Sequence, residues 1–206
     1  MGTDLDTAHL VALAAALGWA SGVRLYLVVF LTGLAGALGW VTLPPGLHLL
    51  QTPLVLGASA VLAGIEFVAD KVPAVNALWD GVHTVLRVPG GALLAAGVFG
   101  GDQAQWTLVA ALAGGALAAT SHVAKTSTTA SLTTFPEPLT HTGISLVSDL
   151  SVPVMLWLAF THPALFAVAL FVVLALMVGT TVVLFRFLRA LARRLTGRVQ
   201  TVPPNS

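Results

Sequence analysis

Runs of apolar residues, each closed by a proline, a glycine or a small group of charges, divide this chain into segments of helical length. The first run, His9 to Leu43, exceeds one crossing, because a helix rising about 1.5 Å per residue spans the ~30 Å bilayer core in about 20 residues. Ala20, Ser21, Gly22 and Arg24 interrupt it, which predicts a half-length helix from Ala8 to Trp19, a break, and a full span from Leu25 to Trp40. A break at membrane depth is tolerated only where protein or a water-filled cavity satisfies the freed backbone groups. The alternative is one long tilted or kinked helix whose Arg24 snorkels. Pro44, Pro45 and Gly46 then predict a turn.

Pro53 to Ala69 reads as a second span carrying the small residues Gly57, Ala60, Ala63 and Gly64, which let helices approach closely. Its end places Glu66 and Asp70 one turn apart, and Lys71 with Pro73 stops it. From Ala74 to Val88 the periodicity is amphipathic, and Asp80, His83, Thr84 and Arg87 recur at i, i+3, i+4 and i+7, on one face. Pro89 to Gly101 is apolar but short, as expected of a re-entrant or broken half helix. Gln103 to Thr120 is the next span, and Thr126 to Thr142, rich in Ser and Thr and containing Pro136 and Pro138, predicts a loop or partly unwound segment. A further span runs from Gly143 to about Phe160 and carries Asp149 and Pro153. The last is Pro163 to Phe185, uninterrupted and apolar.

The expected fold is therefore all-α: a polytopic transmembrane bundle of about five or six crossings plus broken or re-entrant half helices. It forms a single transmembrane domain over residues 8–188, between an N-terminal tail (1–7) and a basic C-terminal tail (189–206) whose last residues, VPPNS, are expected to be disordered. An echo raises an internal repeat: ALGWASGV from Ala16 resembles ALAATSHV from Ala116, and each precedes a Pro-Leu pair that opens a span bearing an acid, Glu66 or Asp149.

Composition agrees. Hydrophobic residues make up 57% of 206 and charged residues only 8%, outside the range of soluble globular chains. Five of the nine Lys and Arg residues fall between Arg186 and Arg198, directly after the longest apolar run. Such a cluster orients a membrane protein with that end in the cytoplasm, and its lack of interleaved aromatics argues against nucleic-acid binding. The amino terminus lacks the basic start of a signal peptide, so the first apolar segment is expected to stay in the mature protein. The absence of cysteine excludes disulfides, thiolate metal sites and Cys nucleophiles. The bilayer is the expected surrounding, the bacterial inner membrane the expected location, and the Gly33, Gly36 and Gly39 series could serve contacts in a homo-oligomer.

Against this apolar background the charges stand out. Glu66, Asp70, Asp80 and Asp149 oppose Arg24, Lys71, Arg87 and Lys125, with His83 and His122 beside them. Isolated charges at bilayer depth cost several kcal/mol, so such groups pair, neutralise or line a solute path. Three roles compete. The charges could fix helix register. They could form an ion or proton path, with Glu66, Asp70, Asp80, His83 and Asp149 binding the ion, Arg24, Lys71, Arg87, His122 and Lys125 as counter-charges, and Ser21 and Gly22 as the helix break. Glu66, Asp70, Asp80 and His83 could also hold a divalent metal, though neither spacing is a signature. Catalysis has less support, since G-x-S-x-G, H-E-x-x-H and P-loop motifs are all absent.

Several of these features together resemble one family. They are Ala20, Ser21 and Gly22 with an aromatic soon after, EFVADKVP from Glu66, Trp79 and Asp80 through Arg87 to Pro89 and Gly91-Ala92, His122-x-x-Lys125, and Ser145-Leu146 before Asp149. The combination resembles a bacterial family of small integral membrane proteins catalogued as domain of unknown function 4126. The likeness spans Leu10 to Phe185, with E-x-x-x-D-K-x-P its most specific part. This chain departs from that pattern at Asn76, where an acid is usual, and at Ser148, where Glu normally precedes Asp149. The resemblance implies a fold and a site location and carries no substrate. The leading expectation is a small transporter or channel for an ion, proton-coupled or cationic, or for a small polar solute; a membrane enzyme acting on a lipid head group, or a non-transporting assembly subunit, is the alternative.

Overall fold

The computed structural model describes residues 5–69, 73–100, 103–132 and 138–199; within its helices the side chains of residues 73–82, 84, 129–132, 138–142, 144, 145, 148, 188 and 190–199 are not described. Among the described residues all regular structure is helical: α1 (Thr7–Ala37), a 3-10 segment (Pro45–Gln51), α2 (Pro53–Ala69), α3 (Pro73–Phe99), α4 (Ala104–Leu132), α5 (Pro138–Thr161) and α6 (Pro163–Val199). Asp6 caps α1, its carboxylate accepting from the His9 backbone N–H at 2.9 Å. That bond, with a second to the His9 ring, holds the Asp6 carboxyl below the usual range.

α1 is the axis of the molecule and touches every other helix. Of its most apolar stretch 72% is buried inside the protein, against 6% for the stretch Pro163–Phe187 of α6. α6 is also the more apolar of the two by sequence. An apolar helix left uncovered by its own chain is stable only in lipid or against a partner, so this contrast marks a membrane bundle with α6 on its periphery. By length and composition α1, α4 and α6 can each cross a bilayer, and the 3-10 segment with α2, bent by 68° at their junction, makes a fourth candidate. Val85–Phe99 and Asp149–Thr161 add shorter apolar stretches.

Small residues bring α1, α3 and α4 into backbone contact. A methyl group at Gly18 would meet the Gly114 Cα, one at Gly114 would meet Ala95, and one at Gly91 would meet Ala118. Packing of this kind substitutes for the hydrophobic driving force that helices lack in lipid.

Four predicted boundaries are corrected. α1 is helical on both sides of Ser21 and Gly22, and its only non-helical residue is Arg24 (φ −150°, ψ 89°), so the break falls after the Ser-Gly pair. α3 runs unbroken through Pro89 to Phe99, joining the amphipathic segment and the expected half helix. Pro89 forfeits one intrahelical hydrogen bond, whereas a terminus there would strand up to about eight backbone groups, so continuity is cheaper in an apolar setting. Of the stretch expected to be a loop or partly unwound, α4 takes residues 126–132 and α5 residues 138–142, and residues 133–137 lie outside the described residues. The Thr126 and Thr128 hydroxyls donate to the carbonyls of His122 and Ala124, both at 2.8 Å, so hydroxyl richness here signals internally satisfied helix. Lastly, α6 extends to Val199, and the arginines expected in a tail ride on its final turns. Residues 202–206 lie outside the described residues.

Candidate functional site

Arg87 occupies the centre of the polar interior. It sits on the inward face of α3, while its neighbours Val85 and Leu86 are exposed. One guanidinium nitrogen, Nη2, donates to Glu66 Oε1 on α2 at 2.8 Å, and the other, Nη1, lies 3.1 Å from His122 Nδ1 on α4. Arginine has only donors, so Nδ1 accepts and the His122 ring carries its proton on Nε2. Arg87, Glu66 and His122 are all buried, which makes this a three-helix clasp inside the bundle.

A second ion pair crosses the bundle beside it. Arg24, at the α1 break, meets Asp149 on α5. The Arg24 guanidinium also lies 5.9 Å from the centre of the Phe67 ring, next in sequence to Glu66, and this aromatic contact links the two pairs. His83 packs edge-on against Tyr26 with ring centres 5.5 Å apart, one turn of α3 before Arg87.

The break itself is managed by α4. An interrupted helix leaves carbonyls without their usual donors. Lys125 Nζ donates to Val23 O at 3.3 Å, and one turn before it Ser121 Oγ adds a donor to Trp19 O at 2.7 Å. The two donors and the two acceptors are each spaced by four residues, so one face of α4 serves one face of α1. Gly22 is required there, since any side chain would collide with Ser121 Oγ and the Ala118 carbonyl. Ser21 serves its own helix, donating to Leu17 O at 2.6 Å. A pocket of about 270 Å³ adjoins the break, with Trp19, Val23, Lys125, Thr128, Ser151 and Thr180 in its wall. The Trp19 indole N–H is buried without an acceptor among the described residues.

The structure thus brings together Glu66, Arg87 and His122, pairs Arg24 with Asp149, and places Lys125 at the break. Asp70 and Lys71 lie outside the described residues, as does the side chain of Asp80. The proposed metal quartet of Glu66, Asp70, Asp80 and His83 therefore falls partly outside them. Among the described residues no three His, Asp or Glu side chains form a potential metal site. Sequence reasoning missed Ser121, Trp19, Tyr26 and Phe67 as parts of the site. The matched four-residue spacing of Ser121 and Lys125 was the available signal for the first.

Fold and polar interior together define an integral membrane helical bundle organised around buried cross-helix ion pairs and a broken first helix. The chain belongs to the family described as Domain of unknown function (DUF4126), whose model matches residues 11–182. No curated protein and no solved structure matches it.

Proposed function

We propose that this protein is a small transporter or channel for an ion or small polar solute, with its path running from the α1 break beside α4 and α5 to the Glu66–Arg87 pair of α2 and α3. The observation that carries the reading is the break at Arg24, where one non-helical residue holds the Arg24–Asp149 pair and its neighbour Val23 lines a pocket that also bears the hydroxyls of Thr128, Ser151 and Thr180. Ion pairs alone would hold helices together without any solute. A broken helix adds a cost that register alone does not require, and discontinuous helices with ionisable groups beside the break are how transporter folds build their solute sites.

In this reading Glu66 and Asp149 are the titratable or cation-binding groups, and Arg24, Arg87 and Lys125 are their internal counter-ions. His122 couples to the Glu66 carboxylate through Arg87, so a change of charge at either end is felt by the other across three helices. A passing cation or proton would compete with arginine for the carboxylate, loosening one pair at a time. Asp70, Asp80 and His83 extend the same path in sequence, and the arginine-rich end of α6 sets the cytoplasmic side. The testing experiment is solute flux into liposomes by the wild type and by Glu66→Gln and Asp149→Asn variants.

A further inference from the structure

Away from the ion pairs, the outer surface between α4 and α6 carries a feature that the transport reading does not use. Here the two helices lie side by side, and shared pocket walls set Val123 beside Thr181 and Val182 and set Thr126 and Ser127 beside Arg186, directly after the apolar run Pro163–Phe185. At that level a pocket of about 620 Å³ is walled by Arg186 and Arg189 of α6, Thr126 and Ser127 of α4, and Thr181 and Phe185. Arg189 is held over the Phe185 ring at 5.5 Å from its centre, so its guanidinium is positioned at the pocket wall. None of the residues in this wall is acidic, and the chain contains no Asp or Glu after Asp149.

A second hollow, of about 320 Å³, continues toward the middle of the apolar stretch. It shares Val123, Thr181 and Val182 with the first and is otherwise lined by residues such as Met177, Val178 and Ala119. One end of the combined groove therefore offers two guanidinium groups and hydroxyls just past the close of the apolar run at Phe185, where a helix leaves the hydrocarbon for the head groups. The other offers a narrow apolar channel parallel to the helix axes. We propose that this α4–α6 groove binds one anionic phospholipid, its phosphate between Arg186 and Arg189 and an acyl chain along Val123, Val178 and Val182. Guanidinium pairs match phosphate in charge and geometry, and basic pockets between helix ends at the bilayer surface suit anionic head groups. A soluble phosphate would use only the polar end and leave the apolar hollow without a purpose.

The test is thermal stability and lipid retention of the full chain in a mild detergent, titrated with phosphatidylglycerol, phosphatidylcholine or inorganic phosphate. Phosphatidylglycerol is expected to raise the melting temperature and phosphatidylcholine to have little effect. In Arg186→Gln/Arg189→Gln its apparent affinity should fall about 30-fold, the loss of two interfacial cations. The matched control Arg193→Gln/Arg198→Gln removes the same charge farther along α6 and should leave affinity within about twofold of wild type. A bulky substitution in the apolar arm, Val182→Trp, should weaken phosphatidylglycerol while preserving both arginines. Equal loss in the two double variants, equal response to phosphatidylcholine, or full stabilisation by inorganic phosphate would each overturn the site. The outcome does not depend on whether the protein transports anything.

Discussion

Arg87 Nη2 and Glu66 Oε1 meet at 2.8 Å where each side chain exposes about 1% of its surface, joining α3 to α2 in the interior of the bundle. Breaking a buried pair by removing one partner is far costlier than replacing both, because the survivor keeps its charge without compensation. Arg87→Met is therefore expected to destabilise the protein by about 3–5 kcal/mol. The double variant Glu66→Leu/Arg87→Met should recover most of that loss. Melting temperatures in detergent for the two singles and the double give the coupling directly, and additive effects would mean that the pair does not hold these helices together.

Ser121 and Lys125 of α4 donate to the buried Trp19 and Val23 carbonyls beside the α1 break. Ser121→Ala and Lys125→Met should each cost about 1–2 kcal/mol, the price of leaving a buried acceptor short of its donor. The local signature is more telling than the total. Amide hydrogen exchange should accelerate in α1 around residues 19–27 and stay unchanged in α6, whereas a uniform increase would place the stabilising role of these side chains elsewhere.

Because the chain has no cysteine, single cysteines report water access without background. Ser151→Cys and Thr128→Cys, both in the pocket beside the break, should react with a membrane-impermeant maleimide in intact vesicles. Ala118→Cys, at a fully buried position of α4, should not. Protection of the pocket positions equal to that of Ala118 would make that pocket dry.

Much of this organisation is legible in the sequence. The helix Pro53–Ala69 and the apolar start of α6 follow from hydropathy alone, because lipid rewards apolar length directly. The polar face of α3 is legible at helical spacing, as a helix either at the interface or packed inside, and His83 and Arg87 are buried, while the side chains of Asp80 and Thr84 lie outside the described residues. The path of α3 through Pro89 and of α4 through its Ser/Thr run is not legible. Proline and hydroxyl residues interrupt helices in water by offering the backbone alternative partners, and that competition vanishes when the surroundings offer none. Charge pairing was only half legible. Composition implied that acids and bases would meet, but which acid meets which base depends on helix crossings: Arg24 reaches Asp149, 125 residues away, and Arg87 reaches Glu66 and His122 at once. The two echo segments also meet, since Ser121 in one contacts Trp19 in the other, a relation no spacing announced.

The measurement closest to the proposed function is flux in sealed liposomes holding the purified chain, following protons, monovalent cations and divalent cations in turn. Wild type should carry at least one of them above empty liposomes, and Glu66→Gln and Asp149→Asn, confirmed folded by their melting curves, should reduce that flux by about tenfold or more. Wild-type flux that both folded variants reproduce in full, or no flux of any of these ions through the wild type, would contradict a transport role for the buried pairs.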